Sequence, residues 1–251
     1  MDFAAALLEQ NRAFGDLVDA GDPATPIPAC PEWSLKQLFR HVGRGHRWAA
    51  QLVAERHDEP LDPRAVEAGK PPEDPAEAIG WLHEGAQRVV DAVAAVGADT
   101  PVWTFIGPRP ARWWIRRRLH EVVVHRFDAA QALGLAYRPA PELAADALSE
   151  WLDLAVALAG RPDATQPLGA GHSVHLHATE PGLGAAGEWM ISAGPGGVDW
   201  SREHGKGSVA LRGAASELLL AALGRIPLAD TGITVFGDTR VWRNWVDRTP
   251  F

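Results

Sequence analysis

Residues 112–133 read RWWIRRRLHEVVVHRFDAAQAL and run into Gly134. How this stretch folds decides the architecture of the chain's first half. Val122-Val123-Val124 is a β-branched run that suits a buried strand, but the segment passes about 20 residues without a turn signal, which is helix length, and a glycine follows as a helix stop. We therefore read a helix. Along it Ile115, Leu119, Val123 and Phe127 form one apolar stripe, while Val122, Ala129 and Ala132 fall toward the side of Glu121 and His125. Such a helix is packed on two sides.

Upstream of it the sequence punctuates three more helices. Residues 3–20 carry Phe3, Leu7, Leu8, Phe14, Leu17 and Val18 at near-helical spacing, and Gly21 and Pro23 close the segment. Ser34 and Gln37 form a capping-box pattern that opens a helix reaching about residue 56, with His41 on it. A proline-rich loop over 59–75 follows, and Asp74-Pro75-Ala76-Glu77 then places an N-cap, a proline at the first helical position and an acid in the first turn. That third helix runs to about residue 96, and 97–110 reads as loop. Downstream, residues 142–159 read as a fifth helix closing the bundle.

After Gly160 the texture changes. Residues 161–171 are rich in Pro, Gly, Asp and Thr, and short β-type segments follow at 172–178, 187–193 and 208–211. A helix over 215–223, a short region at Val235 and a last turn at Trp242 to Trp245 complete the chain. The expected organisation is a helical bundle over 1–160, a linker over 161–171 and a small α+β domain over 172–251.

Composition narrows the function classes. The 251 residues are 22% charged and 46% hydrophobic, with a net charge of −8, so the chain offers neither DNA nor anionic lipid a general attraction. Nucleic-acid partners are not expected. No stretch approaches a membrane span, the N-terminus lacks a signal-peptide core, and the lone Cys30 allows no intrachain disulfide. The expected compartment is the cytoplasm, with no membrane contact.

The strongest chemical signal is Leu119-His120-Glu121-Val122-Val123-Val124-His125. It differs from the zinc-protease HExxH helix by one residue. His120 and His125 are five apart, about 140° around a helix, and cannot share an ion. Glu121 and His125 are four apart on one face and form a workable carboxylate–imidazole pair. Two ligands hold a metal poorly, so a third must come from a neighbouring helix, and His41 is the candidate; His46, five residues on, faces elsewhere. His175 and His177 share one side of a strand, a spacing that also suits a metal.

Together these segments resemble the mycothiol-dependent maleylpyruvate isomerase family. The residues concerned are Cys30-Pro31-Glu32-Trp33-Ser34, Leu38-Phe39-Arg40-His41-Val42, Arg117-Arg118-Leu119-His120-Glu121 and His125-Arg126-Phe127-Asp128-Ala129. In the second half they are Val174-His175-Leu176-His177-Ala178-Thr179 and Leu211-Arg212-Gly213-Ala214-Ala215-Ser216-Glu217, with Gly224-Arg225. The resemblance implies a DinB-like four-helix bundle followed by a sterol-carrier-like α+β domain. It further implies zinc held by His41, Glu121 and His125, with mycothiol as the imported nucleophile for a small electrophile. In the family pattern an arginine near the domain cleft corresponds to Arg225, and His175 and His177 become sheet-surface residues. Asp128, three after His125, is placed to orient it, or else to pair with Arg126 or Arg112. Among Arg116, Arg117 and Arg118, one is a candidate to face a substrate carboxylate, a solvated charged face being the plainer reading. Cys30 reads as packing. Trp48, Trp103, Trp113 and Trp114 read as core or as a pocket lining. Two other functions stay open on the residues alone: a non-catalytic protein binding a small apolar ligand, and a zinc enzyme whose nucleophile is bound water.

Overall fold

The computed structural model describes residues 1–249, and the chain divides into two compact units, the first 1–137 and the second from residue 138 on. The first unit is built from four helices: α1 (Phe3–Asp19), α2 (Leu35–Ala54), α3 (Pro75–Val96) and α4 (Arg112–Ala132). The start signals act as read. Ser34 and Gln37 close a capping box, the Ser34 backbone N–H donating to Gln37 Oε1 at 2.7 Å, and Asp74 accepts from the Glu77 N–H at 3.0 Å. The valine run is helical. Gly134, at φ +69°, ends α4 in the left-handed conformation, with the Leu135 N–H returning to the Ala130 carbonyl at 2.8 Å.

Around the bundle α1 lies between α4 and α3, and α2 packs on both α3 and α4. Helix α4 is buried on almost every side, so Arg117, Arg118, His120, Glu121, His125 and Asp128 all lie inside alongside Leu119, Val122 and Val123. Two small ribbons join the helices: β1 (Pro26–Ile27) with β2 (Cys30–Ser34), and β3 (Pro101–Val102) with β4 (Arg109–Pro110). The second lies where the sequence reads as loop.

The fifth helix, α5 (Pro141–Ala159), does not close the bundle. It belongs to the second unit, where it packs on a helix and strands of the sheet. That unit contains β5 (Ser173–Ala178), β6 (Glu188–Gly194), β7 (Gly197–Ser201), β8 (Val209–Gly213), α6 (Ala215–Ala222), β9 (Thr234–Gly237) and α7 (Thr239–Arg248). The strands order as β7-β6-β5-β8-β9, with β5 and β8 parallel and the other pairs antiparallel. Val174, Leu176, Trp189, Ile191, Val209 and Leu211 alternate onto one buried face, covered by α5, α6 and α7. Two tryptophans pin α5 there: Trp189 Nε1 donates to Ser149 Oγ at 2.9 Å, and Trp200 Nε1 to Asp153 Oδ1 at 3.0 Å. The unit boundary therefore falls before α5, not at 160, and residues 161–171 lie inside the second unit. Strand β7 is an element the sequence reading lacked, and the expected turn at Trp242 is the ten-residue α7. No described helix is long and apolar enough to cross a membrane.

Candidate metal centre

Because α2 and α4 are neighbours, His41 on one meets Glu121 and His125 on the other. His41 Nε2 lies 3.4 Å from Glu121 Oε2, and His125 Nε2 lies 3.5 Å from the same oxygen. The imidazoles meet edge to face, with centroids 5.0 Å apart. One donor atom from each residue falls within 4.8 Å of the other two. Around a tetrahedral zinc with bonds of about 2.0–2.1 Å, donor atoms are spaced about 3.3–3.4 Å apart, so two edges of this triangle are already at that spacing. The donor set fits a divalent ion. His120 is buried on another face of α4, as the helix geometry requires.

The surroundings fix which atoms point inward. His125 Nδ1 lies 2.9 Å from Asp128 Oδ2, and Asp128 is fully buried. A carboxylate accepts the Nδ1–H, which leaves the Nε2 lone pair for the cluster. Asp128 is thus placed to orient His125, while Arg126 reaches Gln10 and Arg112 pairs with Asp99.

The arginines before Glu121 are not a solvated face. Arg117 pairs directly with Glu121 Oε1, and Arg118 Nη1 lies 3.5 Å from Oε2. Arg118 also donates to the Val42 carbonyl of α2 at 3.1 Å and lies against Gly45, where a Cβ would fall 2.6 Å from its Nη2. Arg116 instead lies over the Phe3 ring.

This positive environment acts on the histidines. Burial, then His125 and the guanidiniums of Arg118, Arg117 and Arg44, pushes His41 well below the ordinary histidine range. Its side chain is 41% exposed, which tempers the burial contribution, but the cationic neighbours act in the same direction and keep it neutral. His46, deeper in α2, is also held well below its ordinary value by burial and then by Arg118 and Arg47. Its Nε2 lies 3.0 Å from Asn11 Oδ1, so it serves as a packing histidine.

Sequence reasoning missed Trp33. It sits on β2, just before the α2 cap, with its ring 4.8 Å from His41 and 6.5 Å from His125. The available signal was its position one residue before the Ser34 cap. Cys30 is half-buried on the same strand. Trp48, Trp103, Trp113 and Trp114 gather with Phe105 in one aromatic cluster and pack on each other. Arg225 belongs to the second unit, directly after α6, where it donates to the Leu223 carbonyl at 3.1 Å.

Residues 4–130 match the family model of the mycothiol maleylpyruvate isomerase N-terminal domain, and residues 142–244 match that of the corresponding C-terminal domain. The gap between the two matches brackets the boundary between the structural units. An uncharacterized protein of Mycobacterium tuberculosis, Rv0738, is 30% identical over 154 residues, 59% of this chain and 71% of its own length. The corresponding protein of a second strain, MT0763, gives the same figures. The crystal structure of the mycothiol-dependent maleylpyruvate isomerase aligns at TM-score 0.63 with 16% identity, covering 93% of this chain and 91% of that one. The structure of a histidine-to-alanine mutant aligns at 0.62 over the same shares.

Proposed function

The chain belongs to the mycothiol maleylpyruvate isomerase family, and from that premise we propose that this enzyme activates mycothiol at a zinc ion for attack on a small electrophile. The observation that carries the reading is the convergence of His41, Glu121 and His125 donor atoms inside the bundle, at spacings that suit tetrahedral zinc. Three protein ligands of this kind leave a coordination position open, as catalytic sites do. Zinc held there supplies one thing, the stabilisation of thiolate over thiol near neutral pH.

The chain's own residues do the rest. Asp128 fixes the tautomer of His125. Arg117 and Arg118 hold Glu121 with Oε2 turned toward the two imidazoles. Trp33 forms an apolar wall over His41 that excludes water from the reacting thiol. The thiol adds to an activated double bond and later leaves, giving the isomer, or stays on the electrophile as a transferred group. Arg225 is assigned to catalysis on the family likeness alone.

The test is turnover of maleylpyruvate by chelator-stripped and zinc-reloaded protein, with mycothiol, glutathione or no thiol. We expect turnover only with metal and thiol together. Mycothiol should exceed glutathione at least tenfold, since each sugar hydroxyl bond lost leaves site groups unpaired at roughly 1–3 kcal/mol. His41→Ala should abolish turnover and the zinc held in the bundle, whereas Arg225→Ala should keep that zinc and lower turnover. Equal rates without thiol would overturn the thiol reading in favour of zinc-bound water.

A further inference from the structure

The sheet of the second unit carries its own imidazole–carboxylate cluster, on the face turned away from α5, α6 and α7. His175 and His177 are two residues apart on β5, opposite in direction to the buried Val174 and Leu176. Glu188 on β6 is the register partner of His177, and so projects from the same face. His204 reaches the group from the segment after β7. Glu188 Oε2 lies 2.8 Å from His175 Nε2, while its Oε1 lies 2.7 Å from His177 Nδ1 and 3.1 Å from His204 Nδ1. The His204 ring stands edge-on to His175, with centroids 5.1 Å apart.

We propose that this cluster is a second metal site, binding one divalent transition ion of the zinc, nickel or copper class through His175, Glu188 and His204. One donor atom from each of the three lies within 4.8 Å of the other two, one of two such groupings among the described residues. Imidazole nitrogens with one carboxylate suit these ions, whereas calcium and magnesium seek oxygen. The present contacts of 2.8–3.1 Å need open only a few tenths of an ångström to reach the spacing of donors around a bound ion. His177 is the positioning residue, holding Glu188 by Oε1 from the side.

Three features distinguish the cluster from a chance surface grouping. First, His175 is 4% exposed and two of the ligands stand on adjacent strands, so most of the donor geometry is set by the sheet. Second, the segment bearing His204 is pressed onto that sheet. A Cβ on Gly207 would fall 2.5 Å from the Val209 carbonyl oxygen and 2.8 Å from the His175 nitrogen, and one on Gly205 would meet the end of the Met190 side chain at 2.8 Å. Only glycine at 207 lets the chain pass that close to β5, which brings His204 back over the cluster. Third, the group is reachable. His204, 74% exposed, leaves the entry path open.

The test is metal stoichiometry on the untagged full-length chain, stripped with chelator, dialysed against zinc and read by elemental analysis, with cobalt absorption as a second readout. The wild-type chain should hold two ions. His41→Ala with His125→Ala should hold one, and adding His204→Ala should remove it. His204→Ala alone should lose one ion and keep the thiol-dependent turnover, and Glu188→Gln should weaken the second ion at least tenfold while the melting temperature shows that the sheet still folds. If His204→Ala and Glu188→Gln leave stoichiometry and cobalt spectrum unchanged, the proposal is overturned. A wild-type chain that holds one ion and loses it on His204→Ala would uphold this site and refute the one in the bundle. If the double histidine variant does not fold, His204→Ala in the otherwise wild-type chain gives the decisive count.

Discussion

Replacing Asp128 tests the bundle site through a residue that donates nothing to the metal directly. Asp128 is wholly buried and its Oδ2 lies 2.9 Å from His125 Nδ1, so the interaction is charge-assisted and little screened by solvent. Carboxylates in this position beside a ligating histidine typically contribute 10–100-fold to metal affinity, equivalent to about 1.4–2.8 kcal/mol. Asp128→Asn can still accept through its amide oxygen, which keeps the tautomer and loses only the negative charge, so the expected loss lies near tenfold. Asp128→Ala removes the acceptor. Its loss should approach 100-fold, with a further ~1–3 kcal/mol of stability from the unpaired Nδ1–H. The assay is zinc competition against a chromophoric chelator at fixed pH, alongside nitrogen NMR of His125 in metal-free protein, where the wild type should show the Nδ1–H tautomer. Wild-type zinc affinity in both variants, or an Nε2–H tautomer in the wild type, would refute the reasoning.

Three further outcomes are expected. His120→Ala should leave zinc content unchanged in elemental analysis, because the residue lies on another face of α4, while the cavity left at this buried position lowers the urea midpoint. Acid should destabilise the metal-free protein through His46: its folded pKa is depressed, so below about pH 6.5 the unfolded chain binds a proton that the folded chain refuses, and stability falls with pH by up to about 1.4 kcal/mol per unit for this one group. Urea midpoints between pH 7.5 and 5 should show that slope, reduced in His46→Gln, and a flat profile in the wild type would contradict it. Arg117→Gln should tighten zinc by freeing Glu121, yet move the alkaline rise of thiol-dependent turnover to higher pH; an unshifted pH–rate profile would count against the charge balance developed below.

The features readable from sequence were those that local rules determine. Ser34 with Gln37, Asp74 before Pro75, and Gly134 each act within a few residues of themselves, and each set a helix end where expected. The pairing of Glu121 with His125, and the separation of His120 from both, follow from helical pitch alone. What local rules do not determine is which element lies beside which. Helix α5 has a helical pattern equally good for closing a bundle or covering a sheet, and what places it with the sheet is the reach of Trp189 and Trp200 from strands about 40 and 47 residues further on. The same limit hid Trp33, whose value depends on the β1–β2 ribbon, and it hid His204, whose approach to Glu188 depends on the close passage of Gly207.

The arginines carry a consequence for chemistry that spacing alone did not reveal. Arg117-Arg118 reads along the sequence as exposed charge, yet both side chains are buried against Glu121. Around the bundle site Glu121 stands against the guanidiniums of Arg117 and Arg118, Asp128 lies behind His125, Arg44 adds a further positive charge, and His41 is neutral, so the charged side chains named here carry no net negative charge. On the proposed function this balance favours an anionic guest. A divalent ion placed there keeps its positive charge uncancelled by the chain, and a neutral thiol becomes the better bound by losing its proton. On that reading the buried arginines, costly to desolvate, weaken the negative charge of the proposed carboxylate ligand. A site built only to hold zinc tightly gains nothing from that arrangement, whereas a site built to hold a thiolate does.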